Sequence, residues 1–245
     1  MNTAASSRQR VLDRIRAATR NSAGSVVRAA GQYASLRRDY IRHGVLPVES
    51  CIELMLERLR EYDAEVSQCA PQELAATISA QLAASGRHSF VAPAGLPAEW
   101  LAPGFTWKID RDLPTAEIEQ AEGVVTTCFC AVADSGTIVL HHSPSEGRRV
   151  LSLLPDWHLC ILRASQIVET LPEYFSLCEQ PRLVRGDPDL SPQPPSLVTW
   201  ISGPSATADI EMTRIKGVHG PRFLHVLLVR DLSPTQHQTQ TGQAT

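Results

Sequence analysis

Two short segments late in the chain combine small residues with hydroxyls, and both suit the binding of a small anion. The first is ISGPSATADIE (201–211), and the second is GVHGP (217–221). Glycine lets the backbone approach a ligand closely, and free N–H groups at a helix N-terminus bind phosphate or carboxylate. The sequence predicts such a helix after Ser205 or Thr207, either of which can act as its N-cap. We therefore expect a small-anion site here.

Acidic residues in the first segment leave a second interpretation open. Asp209 and Glu211 would fall in the first turn of the predicted helix, where they stabilise the helix dipole but repel an anion. A well-capped helix without a ligand fits the same residues. His219, in the second segment, is a candidate for acid–base catalysis or anion binding. The alternative is a turn histidine that bonds only to the backbone.

A third turn, ADSGT (133–137), combines a carboxylate with hydroxyls at the start of a predicted strand. In open α/β sheets, ligands collect where several such loops meet at strand ends. Asp134 is the second catalytic candidate, as an orienting group or base, although an Asx residue would serve only to shape the turn. The predicted ligand-binding residues are Ser135, Gly136, Thr137, Ser202, Gly203, Ser205, Thr207, Gly217, His219 and Gly220.

Several other polar residues could do chemistry. A group that could hold an anion comprises His141, His142, Ser143, Ser145, Arg148 and Arg149. Adjacent strand histidines point to opposite faces, so no metal site is predicted. Glu122 could act as a nucleophile or base, or be an ordinary exposed glutamate, and His225 is expected in the core or at an edge. The absence of a G-x-S-x-G motif argues against a serine hydrolase of that type.

The chain has six cysteines, and none of them forms a C-x-x-C motif. Zinc ribbons and ferredoxin-type clusters use such spacings. We therefore expect this chain by itself to bind no cofactor. Cys69, Cys128 and Cys160 lie in apolar segments and are predicted to be reduced core residues.

The charge of the chain is distributed unevenly. Residues 1–43 hold nine arginines and two acidic residues, whereas the remainder has 14 basic against 24 acidic ones. A basic arm can bind nucleic acid, but apolar residues at helical spacing favour docking on protein. No apolar run reaches the length of a membrane span, and the N-terminus lacks the apolar core of a secretory signal. A cytoplasmic location is expected.

Hydrophobic periodicity predicts helices first and alternating strands and helices afterwards. Helices are predicted at 7–20, 25–42, 49–62, 71–85, 114–121 and 166–177. Strands are predicted at 65–69, 88–92, 105–109, 137–142, 158–162, 198–201 and 223–229. Residues 123–133 fit a buried strand or the start of a helix, and the proline-rich stretch 181–197 fits a loop.

These elements predict three parts of the chain. Residues 1–62 would form an N-terminal helical arm, residues 63–232 an α/β domain, and residues 233–245 a disordered tail. Alternation of strands with helices indicates a sheet with substantial parallel pairing.

The chain resembles the LutC/YkgG-type lactate utilisation proteins, the LUD-domain family. The segments that carry the resemblance are SRQRVLDRIRAA (7–18), ADSGTIVL (133–140), SLLPDWHLCIL (152–162), SQIV (165–168), ISGPSATADIE (201–211) and GVHGPRFLHVLLV (217–229). The resemblance implies a fold like the NagB/RpiA/CoA-transferase group, with a parallel or mixed sheet flanked by helices. It also implies a part in the oxidation of L-lactate to pyruvate, alongside iron–sulfur partner subunits of the LutA/LutB type that carry the clusters.

Two further functions stay open at this stage. The chain could be a stand-alone enzyme or binding protein for a phosphorylated, CoA-like or folate-like molecule, acting through the three turns described above. The basic arm could bind nucleic acid, which would make the association sensitive to salt. The sequence does not decide whether the chain is catalytic alone or forms a homo-oligomer.

Overall fold

The chain divides into two units, residues 1–40 and 41–245. The computed structural model describes residues 7–19, 32–179, 197–208, 214–217 and 219–232. The first unit contains the helix α1 (Ser7–Thr19), which confirms the predicted first helix. Val11 and Ile15 have helical spacing, yet each is more than half exposed. Of the predicted helix 25–42, residues 25–31 lie outside the described part, and residues 35–42 are not helical.

The second unit alternates helices and strands. Its helices are α2 (Val48–Glu61), α3 (Leu74–Ala84), α4 (Thr115–Glu119) and α5 (Leu171–Glu179). Its longer strands are β1 (Glu65–Cys69), β2 (Ser89–Pro93), β3 (Thr106–Asp110), β4 (Gly123–Thr127), β7 (Trp157–Arg163) and β12 (Phe223–Val229). Its shorter strands are β5 (Cys130–Val132), β6 (Thr137–Leu140), β8 (Ile167–Val168), β9 (Thr199–Ile201), β10 (Ala206–Ala208) and β11 (Arg214–Lys216).

The six longer strands form a wholly parallel sheet in the order β1-β12-β7-β4-β2-β3. Its central strands, β7 and β12, are nearly continuous apolar runs because a parallel sheet is covered on both faces. The chain passes from β2 to β3 in one direction along the sheet and from β4 to β7 in the other. The boundary between β2 and β4 is therefore the point at which the strand order reverses. The α/β fold is confirmed.

A second sheet, in the order β8-β5-β6-β9, covers one face of the first. Its buried residues share a core with α2, through Ile52, Met55 and Leu59. α3 packs on the opposite face, where Leu74, Ile78 and Leu82 are buried. The helix 48–61, assigned to the arm from the sequence, thus lies in the second unit, which begins at residue 41.

The structure resolves one open prediction and corrects another. Residues 123–133 form two strands, β4 and β5, which belong to different sheets. The predicted helix 166–177 is wrong at its start, because residues 167–168 pair with β5 and the helix begins only at Leu171. Most of the proline-rich stretch 181–197 and all of 233–245 lie outside the described residues. No helix in the described part is long and apolar enough to cross a membrane.

Candidate functional site

Residues 201–206 and 219–221, which belong to the two predicted anion-binding segments, meet at one cavity near the amino ends of β7 and β12. We call it the amino-edge cavity, and its volume is about 290 Å³. It is lined by Arg149, Ser152, Leu153, His158, Thr199, Trp200, Ile201, Ser202, Gly203, Pro204, Ser205, Ala206, His219, Gly220, Pro221 and Leu224. Five of the ten predicted ligand-binding residues are among them.

Backbone hydrogen bonds join the two segments around Ser205. Its N–H donates to the Pro221 carbonyl at 2.8 Å, and its own carbonyl accepts the N–H of Gly217 at 2.9 Å. The Ser205 hydroxyl oxygen accepts the backbone N–H of His219 at 3.1 Å. Ser205 thereby fixes the turn that carries His219.

The predicted helix after Ser205 is wrong. Residues 206–208 form β10, which pairs antiparallel with β11. Thr207 therefore lies in a strand, and residues 206–208, the described residues that follow Ser205, provide no helix N-terminus to bind an anion. Asp209 and Glu211, which were to cap that helix, lie outside the described residues. The small residues and hydroxyls of this segment are as compatible with a turn that leads into a β-hairpin as with a turn that leads into a helix.

The turn at residues 134–137 lies next to the amino-edge cavity without lining it. The Thr137 hydroxyl contacts that of Ser202 at 2.7 Å and that of Ser135 at 2.8 Å. Asp134 is exposed, and its backbone N–H donates to the Glu169 carbonyl at 3.0 Å. The sequence thus predicted that these turns meet, but only Thr137 is connected to the cavity, through Ser202.

Three of the predicted glycines shape turns against neighbouring side chains. A Cβ on Gly136 would lie 2.6 Å from Arg58 Cβ, and one on Gly203 would lie 2.5 Å from Tyr62 Cβ. A Cβ on Gly217 would lie 2.4 Å from the Arg222 side chain. These glycines have positive φ angles, which glycine adopts without steric cost.

A second and larger cavity lies at the carboxyl ends of β2, β4 and β7. This carboxyl-edge cavity has a volume of about 390 Å³. It is lined by Gly95, Pro97, Trp100, Thr127, Cys128, Phe129, His141, Ser143, Ser145, Glu146, Ile161, Arg163 and Gln166. It sits where the strand order reverses between β2 and β4, the usual ligand position in open α/β sheets.

Glu146 is the acidic residue of the carboxyl-edge cavity, and it is only 4% exposed. Its carboxylate accepts the backbone N–H of His141. Burial raises the pKa of Glu146, while hydrogen bonds from Ser143 and from backbone N–H groups act in the opposite direction. A carboxyl group that burial has shifted in this way, inside a cleft, is typical of acid–base residues.

Hydroxyls and one arginine supply the other polar groups of the carboxyl-edge cavity. The Thr127 hydroxyl donates to Ser145 at 2.8 Å, and Ser143 lies 3.4 Å from Ser145. Arg163 lies 3.9 Å from the carboxylate of Asp231. The arrangement places a buried acid, a cation and hydroxyls around one space.

The proposed anion group of residues 141–149 is divided between different parts of the molecule. His141, Ser143 and Ser145 line the carboxyl-edge cavity, whereas Arg149 lines the amino-edge cavity. Arg148 is paired with Asp110 instead, at 2.7 Å. No single site brings these residues together, because the loop after β6 runs from one edge of the sheet toward the other.

Glu122 and His225 have structural contacts. Glu122 accepts the backbone N–H groups of His88 and Ser89 at 2.8 and 2.9 Å, and these bonds lower the pKa of Glu122. His225 is buried, as expected, and its Nε2 lies 3.2 Å from the Ser67 hydroxyl. These contacts therefore do not support the hypothesis that Glu122 is a nucleophile.

Sequence reasoning missed Glu146 and Arg163. In the sequence, Glu146 stands in SPSEGRR, which looks like an exposed polar loop. Its burial depends on packing against residues that are distant in the sequence. The position at which the strand order reverses can be located only when the order of the strands is known. Among the described residues, no group of three His, Cys, Asp or Glu side chains is placed to hold a metal ion.

Residues 48–229 match the LUD domain, so the chain belongs to the LUD-domain family. The resemblance inferred from the sequence is confirmed. Lactate utilization protein C of Deinococcus radiodurans is 39% identical over 176 residues, which cover 71% of this chain and 76% of that protein. Lactate utilization protein C of Bacillus subtilis is 35% identical over 140 residues, which cover 56% of this chain and about half, 55%, of that protein.

A solved structure supports the same assignment. The crystal structure of a DUF162 family protein from Deinococcus radiodurans aligns with 76% of this chain and 99% of its own, with a TM-score of 0.59 and 32% identity. The uncharacterized protein YkgG of Escherichia coli is 38% identical over 116 residues, 47% of each chain.

Proposed function

We propose that this chain acts in lactate utilisation, in the cytoplasm, as a component of a system that oxidises L-lactate to pyruvate. The observation that carries the proposal is the LUD domain at residues 48–229, in a chain whose relatives are named lactate utilization protein C. The amino-edge cavity, with an arginine and hydroxyls, suits a small anionic ligand.

Oxidation of lactate to pyruvate removes two electrons and two protons from the substrate. The side chains of the two cavities are binding and acid–base groups. We propose that the electrons pass to iron–sulfur clusters in partner subunits of the LutA/LutB type. The cysteines of this chain form no disulfides and are mostly buried: Cys51, Cys69, Cys128, Cys130, Cys160 and Cys178. Their spacing in the sequence matches no cluster-binding motif.

Loss of the gene tests the proposal. In the organism that encodes this chain, deletion should abolish growth on L-lactate as the carbon source and leave growth on glucose intact. Reintroduction of the wild-type gene should restore growth on L-lactate. Equal growth of the deletion strain on both carbon sources would remove the lactate role.

A second candidate function is binding or turnover of a larger anionic compound, of the phosphorylated, CoA-like or folate-like kind. Its specific support is the carboxyl-edge cavity, whose 390 Å³ lies in the range of pockets for drug-sized ligands, roughly 300–1,000 Å³. A three-carbon acid would leave much of that space unfilled. The buried Glu146 would then act as acid or base on the compound.

Thermal-shift measurements separate the two candidates. Sugar phosphates, CoA esters and folates should be tested against the wild type and against Glu146→Gln, with Glu122→Gln as a control outside both cavities. Stabilisation of the wild type that Glu146→Gln weakens would favour the second function. No stabilisation by any of these compounds would count against it.

A further inference from the structure

The amino-edge cavity contains a cation, and no acid lies beside it among the described lining residues. Its described lining residues include Arg149 and no aspartate or glutamate. His158 at its base is fully buried, and burial lowers the pKa of His158 to about 4, so this residue is neutral at pH 7. The charged group that the lining presents to a ligand is thus a guanidinium.

Two neighbouring arginines differ from Arg149 because each is paired with an acid. Arg148 pairs with Asp110 and Asp112, and Arg222 pairs with Asp156. Arg149 makes no ion pair with any residue in the described ranges. Its Nη1 donates instead to the hydroxyl oxygen of Thr199 at 3.0 Å, which leaves the other N–H groups of its five-donor fork for a ligand.

A hydrogen-bond relay holds Arg149 in this position. His142 Nδ1 donates to the Gly147 carbonyl at 2.8 Å, so in the neutral imidazole Nε2 is an acceptor. The Thr199 hydroxyl, 2.8 Å from that Nε2, can donate to it and accept from Arg149 at the same oxygen. His142 and Thr199 are positioning residues for the guanidinium.

Ser205 supplies a second ligand-directed group. Its oxygen already accepts the N–H of His219, and a hydroxyl keeps one hydrogen to donate. Within the described part of the chain, that hydrogen has no acceptor. Gly203 and Gly220 keep the surrounding turns without side chains. A guanidinium fork and a hydroxyl donor therefore face one space of about 290 Å³.

We propose that the amino-edge cavity is a binding site for a small monocarboxylate, with Arg149 holding the carboxylate by two parallel hydrogen bonds and Ser205 adding a third. The single positive charge of Arg149 balances a monoanion, whereas a phosphate dianion carries one negative charge more than this guanidinium can balance. A planar carboxylate also matches the guanidinium fork. This inference deepens the proposed function, because L-lactate and pyruvate are both monocarboxylates.

Titration of the purified full chain tests the site. L-lactate, pyruvate, lactamide and inorganic phosphate should each be added while the amide signals of Ser205, His219 and Gly220 are followed by NMR. We expect L-lactate and pyruvate to shift these signals and lactamide, which lacks the carboxylate, to leave them unchanged. Arg149→Met should weaken L-lactate binding about tenfold or more, since it removes a charge-assisted bidentate pair.

Two variants serve as controls. Arg163→Met removes the cation of the other cavity and should leave L-lactate binding unchanged, while Arg149→Lys should retain part of the affinity because it keeps the charge. The unfolding midpoint of each variant checks that it is folded. Unchanged affinity in Arg149→Met, loss of binding in Arg163→Met, tighter binding of phosphate than of L-lactate, or no shift up to the solubility limit of sodium L-lactate would each overturn the proposal. Growth on L-lactate tests the proposed function separately, so either can fail alone.

Discussion

Buried polar residues are the positions at which we expect single substitutions to change the stability of this protein most. Asp110, only 7% exposed, ends β3 and receives two hydrogen bonds from Arg148, at 2.7 and 2.9 Å. Backbone N–H groups of Asp112 and Leu113 donate to the same carboxylate. Loss of this group would remove two hydrogen bonds from Arg148 and leave the N–H groups of Asp112 and Leu113 without this acceptor.

Asp110→Asn should therefore lower the free energy of unfolding by roughly 1.5–3 kcal/mol, the range for hydrogen bonds to a charged group. Asp112→Asn is the matched control, because Asp112 contacts the same arginine but its side chain is 89% exposed, and it should cost at most about 1 kcal/mol. Urea unfolding at pH 7 measures both. Equal losses of unfolding free energy in the two variants would show that the burial of Asp110 adds nothing to the stability.

His158 predicts a pH dependence. Burial lowers its pKa from 6.5 to about 4, so as the pH falls the unfolded chain binds this proton before the folded chain does. Stability should thus fall between pH 6.5 and about 4, by roughly 3 kcal/mol from this residue. His225, whose pKa burial also lowers, acts in the same direction.

His158→Gln should flatten that dependence, because glutamine does not titrate and can still contact Thr126, which lies 2.8 Å from His158 Nε2. Urea unfolding curves of both proteins from pH 7 to 4 give the slopes. A slope in His158→Gln as steep as in the wild type would contradict the assignment of this proton uptake.

Two turns of the second sheet, at Gly136 and Gly203, make close contacts with the end of α2. Gly136 precedes β6, and its Cβ position meets the backbone and side chain of Arg58 near the end of α2. Gly203 follows β9 and meets Tyr62, just after the same helix. The second sheet can thus approach α2 only where these turns lack side chains.

Gly136→Ala should lower stability more than Gly86→Ala. Both glycines have similar positive φ values, 60° and 67°, so the backbone strain is comparable. A Cβ at Gly86 has nothing within 4 Å, whereas at Gly136 it would lie 2.6 Å from Arg58 Cβ. We expect an additional loss of about 1–3 kcal/mol from overpacking, measured by urea unfolding. Similar losses of stability in the two variants would mean that α2 moves to accommodate the added methyl group without an energetic cost.

The elements with strong periodicity could be predicted from the sequence, and those set by long-range pairing could not. The apolar runs of β7 and β12 and the helix α2 were predicted within one or two residues. β8 and the hairpin of β10 and β11 were missed, because two or three residues give no period and depend on their partners. The sequence predicted that residues 202–205 and 219–220 lie close together. The positions of Arg149 and Glu146 in the cavities could not be predicted, because they depend on tertiary packing.

At the scale of the whole molecule, two cavities lie at opposite edges of one parallel sheet. The carboxyl-edge cavity offers a buried acid, Glu146, at the reversal of the strand order. The amino-edge cavity offers the guanidinium of Arg149, which makes no ion pair within the described part of the chain. We propose that the amino-edge cavity binds the carboxylate; the larger compound proposed for the carboxyl-edge cavity is the alternative function. Partner subunits would receive the electrons.

If this chain is needed for lactate oxidation, reconstitution in cell extracts should show it. Extracts of lactate-grown cells with and without the gene should be compared for L-lactate-dependent reduction of an artificial electron acceptor. We predict that the deletion extract lacks the activity and that added purified wild-type chain restores it. An extract that oxidises L-lactate equally well without this chain would contradict the account.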